Sequence, residues 1–156
     1  MSVSLYGNGN TVIQVVQGTI VPTQLTVSPA GALVTTGISA TITPQSTNSK
    51  ILVTPNLTNL YNLGAGGMGF AIYRGATNIY THGYAQAGGY LGSFYGSGAI
   101  IGGVSFPYLD SPATTSATTY TIYWGTFASA GYINFNGSAT VNGTGSYILL
   151  QEISGS

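Results

Sequence analysis

Five side chains of the sequence can hold a formal charge or exchange a proton near neutral pH: Lys50, Arg74, Asp110, Glu152 and His82. Glycosidic acid–base chemistry needs two carboxylates facing each other across a substrate, and Asp110 with Glu152 is the pair available. Asp110 sits in Asp110-Ser111-Pro112, where an aspartate ordinarily accepts backbone N–H groups of a turn. Glu152 lies in an alternating segment, where it is expected to face solvent, a hydroxyl or Lys50. A Ser-His-Asp triad would have to recruit His82 and Asp110 with one of many serines, and the Gly-x-Ser-x-Gly elbow that would hold the serine is missing. His82 follows Tyr80-Thr81 and precedes a glycine-rich stretch, the setting of a partly exposed strand end. No catalytic, cofactor-binding or metal-ligating residue is assigned, no cofactor is expected, and the chain reads as a non-enzyme.

The rest of the composition narrows the class further. The chain has 156 residues, a formal net charge of zero and only 3% charged residues, far below the usual quarter. Nucleic-acid binding through phosphates needs several cations, and a polybasic membrane anchor needs a cluster of them, so neither partner is expected. There is no cysteine, which excludes a disulfide scaffold, a thiolate zinc site and a cysteine nucleophile. The glycine clusters match neither a phosphate loop nor a dinucleotide fingerprint. Three Asn-x-Ser/Thr triplets, at Asn56, Asn136 and Asn142, read as turn asparagines. Hydrophobic residues make up 44%, with 12 Tyr, 5 Phe and one Trp, a composition that folds rather than one that stays disordered. No signal-peptide pattern follows Met1, apolar runs fall short of a membrane span, and no shaft, collagen repeat or coiled coil accompanies the domain, so a whole small protein is expected.

The elements that would position these groups read as strands throughout. Residues 11–16 are short and β-branched, 19–27 resume after Gly18 with Pro22 at an edge or bulge, and 33–42 form a weaker candidate. Residues 50–54 have high β propensity, and 70–74 end in a turn at Gly75. Residues 83–103 are rich in glycine and hold one or two short strands with a long loop. Residues 118–124 alternate, with Tyr120, Ile122 and Trp124 on one face. Residues 132–136 alternate as well and place Ile133 and Phe135 together, and 146–153 close the domain. Turn residues every eight to twelve positions mark an all-β sandwich or barrel. The expectation is one β-sandwich domain over 1–156, with 1–18 as an extended N-terminal arm.

A chain this apolar with almost no charge has little colloidal protection, which points to an obligate oligomer whose interface resembles a split core. Tyrosines among glycine, serine and asparagine give rigid amphipathic contact area at low entropic cost. Tyr84, Tyr90, Phe94 and Tyr95 are therefore candidate partner or receptor contacts, though a subunit interface would use the same residues.

The segments Ser49-Lys50-Ile51-Leu52-Val53, Phe70-Ala71-Ile72-Tyr73-Arg74-Gly75 and Tyr108-Leu109-Asp110-Ser111-Pro112-Ala113-Thr114-Thr115-Ser116-Ala117-Thr118-Thr119-Tyr120-Thr121-Ile122-Tyr123 resemble small structural proteins of tailed bacteriophages, especially those of cyanobacteria and other aquatic bacteria. The resemblance runs from about residue 36 to residue 153. It implies a jelly-roll sandwich that forms a homotrimer around a three-fold axis, similar to tumour-necrosis-factor and C1q-like heads. It implies a virion location, outermost on the capsid, as either a capsid decoration (cement) protein or a fibre or receptor-binding head. Tyr120, Ile122 and Trp124 would then be core or axis residues, with Leu149 and Ile153 in the terminal strand of the sheet nearest the axis. Lys50 and Arg74 would be structural, paired with Glu152 and Asp110. Leu5, Val12, Ile13, Val15 and Val16 would form an arm that contacts the shell. The partners implied are the chain itself, the major capsid protein and, for a fibre head, a host surface receptor.

Overall fold

The structure, a computed structural model, describes residues 11–28, 32–86, 89–91, 94–96, 99–135 and 145–155, and within 84–101 the backbone only. The strands are β1 (Val12–Gln17), β2 (Leu25–Val27), β3 (Val34–Ile42), β4 (Lys50–Asn62), β5 (Gly66–Arg74), β6 (Thr77–His82) and β7 (Tyr84–Gln86). They continue as β8 (Gly89–Leu91), β9 (Phe94–Gly96), β10 (Ala99–Val104), β11 (Tyr108–Asp110), β12 (Thr118–Phe127), β13 (Gly131–Ile133) and β14 (Tyr147–Ile153).

Two antiparallel sheets form a sandwich. In the first, β14 and β13 lie one after the other along one flank of β4 and β11 and β10 along the other, with β1 beyond β14 and β2 beyond β13. In the second the order is β3-β12-β5-β6, with β9 also on β5. The pairings β1·β14, β3·β12, β4·β11 and β5·β6 are nested in sequence. Each outer pair encloses the next, and this nesting is the jelly-roll topology.

Period-two burial decides which side chains make the core. Ile38, Ile42, Phe70, Ile72, Tyr120, Ile122 and Trp124 of the second sheet face Ile51, Val53, Leu57, Leu60, Ile148 and Leu150 of the first. All but Trp124, which is 2% exposed, lie at 0 or 1% exposure. A column of stacked rings closes one side of the sandwich. Tyr80 lies on Tyr108 (4.9 Å between centroids), and His82 lies on Phe106 (4.9 Å, 1° between planes), which in turn packs on Phe70.

Strand β4 runs through Pro55, which cannot donate to a ladder. The proline is tolerated because the neighbour on that flank changes there. β11 pairs as far as Val53 and β10 starts opposite Leu57, so the stretch around Pro55 has no strand on that side. The expected alternation over 132–136 fails for a backbone reason. Asn134 has φ +57°, which flips the chain, so Ile133 is buried in the core while Phe135 stacks on Tyr61 at 4.1 Å.

Candidate assembly surface

The two carboxylates lie in one transverse row of the first sheet, because Ile51 of β4 pairs with Asp110 of β11 on one side and Glu152 of β14 on the other. At a strand spacing of roughly 4.8 Å, their backbones stand about two strands apart with the fully buried Ile51 side chain between them. Each carboxylate is already engaged.

Asp110 is no turn cap. Arg74 Nη1 of the opposite sheet donates to both of its oxygens, at 3.0 and 2.9 Å, and the Tyr120 hydroxyl donates to Oδ2 at 2.7 Å. Burial, then the hydrogen bond to Asp110 and its negative charge, push the Tyr120 phenol well above its ordinary value, with Arg74 opposing. The expected Arg74–Asp110 pair is thus present. The expected Lys50–Glu152 pair is not: Lys50 pairs in register with Ile153 and is exposed, whereas Glu152 pairs with Ile51 and is fully buried, so the two side chains leave opposite faces of the sheet. Glu152 is held instead by neutral donors. The Gln45 N–H donates to Oε1 at 2.7 Å, and the Gln14 amide, which also donates to the Thr43 carbonyl (3.2 Å), reaches Oε2 at 3.0 Å.

The outward face of the same sheet has the opposite character. Registers across β1, β14, β4 and β11 align Val15, Gln151, Leu52 and Leu109 in one row, and Val12, Ile153 and Lys50 in another. Leu149 and Thr54 stand beside Gln17 in a third. Val15 is 57% exposed, Val12 50%, Leu109 45% and Ile13 40%. Leu52, Leu149 and Ile153 are half-buried. The structure thereby joins on one face residues that the sequence assigned to two roles, a shell-contacting arm (Val12, Ile13, Val15) and an oligomer interface (Leu149, Ile153). It adds Leu52 and Leu109, whose alternation with Ile51, Val53 and Asp110 was the signal that could have found them.

Other candidates fall elsewhere. Tyr120, Ile122 and Trp124 point into the core, so they leave nothing for an axis. Val16 packs against the core from β1. Residues 12–17 are the edge strand of the first sheet, hydrogen-bonded to β14, rather than a free extension. Leu5 lies outside the described residues, as do the side chains of Tyr84, Tyr90, Phe94 and Tyr95, whose backbones run in β7, β8 and β9.

One structural residue had no sequence expectation beyond strand alternation. The buried Asn134 amide donates to the Val21 and Thr23 carbonyls (2.7 and 2.9 Å) and accepts from the Ser146 and Thr58 hydroxyls (2.6 and 3.0 Å). Both donor and both acceptor positions of the amide are therefore used, and the connection after β1 is bound to β4 and to the start of β14.

No protein-family model matches the sequence, and no curated protein does. Among solved structures, the chain is similar to VP2 of infectious bursal disease virus in a subviral particle, at 13% identity and a TM-score of 0.44 over 98% of this chain and 45% of that one. It is also similar to a point variant of that VP2 in derived T=1 particles, at 12% identity and a TM-score of 0.40 over 98% and 43%. The chain spans less than half the length of either.

Proposed function

We propose that the chain is a structural protein of a virus particle, a capsid decoration subunit that trimerises through the outward face of β1, β14, β4 and β11 and clamps neighbouring shell subunits from outside. The observation that carries this reading is the row of Val15, Leu52 and Leu109 beside Val12, Leu149 and Ile153, with Lys50 as the one charge among the residues of those rows. Apolar side chains gathered on one face in this way, interrupted by Gln151 between Val15 and Leu52, mark an interaction site. Contacts without charge hold their strength when ionic strength changes, a useful property for a particle outside a cell. The resemblance of the 49–53, 70–75 and 108–123 segments to bacteriophage structural proteins supports the same reading. β1 ends the strand order of its sheet, and its outer edge suits strand addition by the major capsid protein.

Light scattering on the purified chain tests the assembly. A mass about three times 15.9 kDa is expected, and Val15→Glu with Leu149→Glu is expected to yield a folded monomer. A monomeric parent would overturn the reading. Copy number in purified particles tests the role: a count locked in ratio to the shell protein means decoration. A few tens of copies or fewer means a fibre or receptor-binding head, the second reading, which an open groove beside Tyr73 on the other sheet favours.

A further inference from the structure

On the outward face of the second sheet, Tyr73 of β5 stacks on Tyr123 of β12, with centroids 3.8 Å apart and planes 22° from parallel. Tyr73 also lines an open groove of about 400 Å³ together with Ala32, Leu33, Asn78 and Thr81, a volume within the range of small-molecule sites. Since Tyr123 covers one side of the Tyr73 ring, what Tyr73 offers the groove is its other face or its edge.

The polar residues of the groove are arranged by a backbone irregularity. Along β6, Asn78 pairs with Tyr73 but Tyr80 pairs with Ile72, so Ile79 is a bulge residue. In a regular strand, positions 78 and 81 would leave opposite faces. The bulge brings both to the outer face, where the Asn78 amide donates to the Thr81 hydroxyl at 2.9 Å. Bulges commonly re-aim side chains beside binding sites in this way. The amide keeps a second N–H for a ligand, and its carbonyl oxygen, which accepts from the Thr81 hydroxyl at 3.4 Å, keeps one further acceptor position. The described lining residues carry no formal charge, and the neighbouring Arg74 is turned away to Asp110.

We propose that this groove binds a neutral saccharide, with one pyranose face resting on Tyr73 and adjacent hydroxyls held by Asn78 and Thr81. The electron-rich ring face suits the C–H groups that line one side of a pyranose. The amide–hydroxyl pair supplies donors and acceptors matched to vicinal hydroxyls. A charged sugar would find no counter-ion among the lining residues. The inference goes beyond the assembly reading and does not depend on it, because one chain supplies every described lining residue.

Saturation-transfer NMR on the full chain, with methyl β-galactoside, methyl α-glucoside, N-acetylglucosamine and glucuronate as probes, tests it. Saturable transfer from the protein to the C–H protons of one pyranose face is expected for at least one neutral probe, with weaker transfer to glucuronate. Tyr73→Ala is expected to weaken binding about tenfold or more, the scale of losing one aromatic contact. Asn78→Ala, at an exposed position that leaves the core intact, is expected to weaken it as well. No saturable transfer to any neutral probe, transfer that both variants leave unchanged, or a preference for glucuronate would each overturn the proposal. Light scattering on the same samples reads the assembly separately, so failure of one reading is not confused with failure of the other.

Discussion

Asp110 and Glu152 share a row of the first sheet, one on each side of Ile51, yet the chain satisfies them in contrasting ways. Asp110 receives a cation and a phenol from the opposite sheet, so its carboxylate bolts the two layers together at one end of the sandwich. Glu152 receives a backbone N–H and a side-chain amide, so its carboxylate fastens the edge strand β1 and the β3–β4 connection to β14. The chain has two acidic side chains, and each is engaged by partners within the fold. Both are connectors between segments distant in sequence. The ionic one can span the gap between layers because the long Arg74 side chain reaches across, while the neutral one works at close range within a layer.

The strongest way to break this contrast is Asp110→Ala. Removing one partner of a buried pair costs about 3–5 kcal/mol. The Arg74 side chain is 32% exposed and can rehydrate, which reduces the expected loss to about 2–3 kcal/mol, read from urea unfolding. Tyr120→Phe comes next, with about 1.5–2 kcal/mol for a hydrogen bond to a charged acceptor. It also carries a pH signature. The folded phenol keeps its proton where the unfolded one, near pKa 10, loses it, so the folded state binds more protons above pH 10. Stability is therefore fully present below that pH and falls as pH rises, by about 1.4 kcal/mol per unit for this group. Tyr120→Phe should remove that part of the slope, and an unchanged slope would show that Tyr120 titrates normally.

Glu152→Gln sharpens the comparison from the other side. It keeps the shape, removes a buried charge that has no cation, and loses at most one acceptor. Its expected effect is within about 1 kcal/mol, and a loss as large as that of Asp110→Ala would erase the distinction drawn above. Lys50→Gln should be smallest, within about 0.5 kcal/mol, because the ammonium stands on the far face of the sheet from Glu152. A larger loss would restore the pairing suggested by the sequence.

The contrast also explains what could be read in advance. The alternation of Tyr120, Ile122 and Trp124 is local and survives into the fold, as does the β-branched run of β1. Charge partners are not local. Arg74 meets Asp110 because β5 and β11 face each other across the core, and Lys50 misses Glu152 because a one-residue offset in register sends side chains to opposite faces. Asn134 was illegible for a different reason. Its left-handed backbone and four-fold hydrogen bonding depend on Val21, Thr58 and Ser146 being present together, which no window of sequence contains. The outward face is half legible: Val12, Val15, Leu149 and Ile153 each stand out in the sequence, but only the β1·β14·β4·β11 register makes them neighbours of Leu52 and Leu109. The groove beside Tyr73 depends on a bulge at Ile79, and nothing in 77–82 announces one.

Thr11 and Ser154 are bonded to each other, the Ser154 N–H to the Thr11 carbonyl at 2.9 Å and the Thr11 N–H to the Ser154 hydroxyl at 3.0 Å. The described polypeptide therefore begins and ends at one corner of the sandwich. Tension applied through those two points would peel β1 from β14 rung by rung, like a zip opened from its end, and would meet little resistance at any moment. Load spread across the sheets would instead have to shear many rungs at once. A domain threaded this way is mechanically strong when gripped by its faces and weak when tugged by its ends.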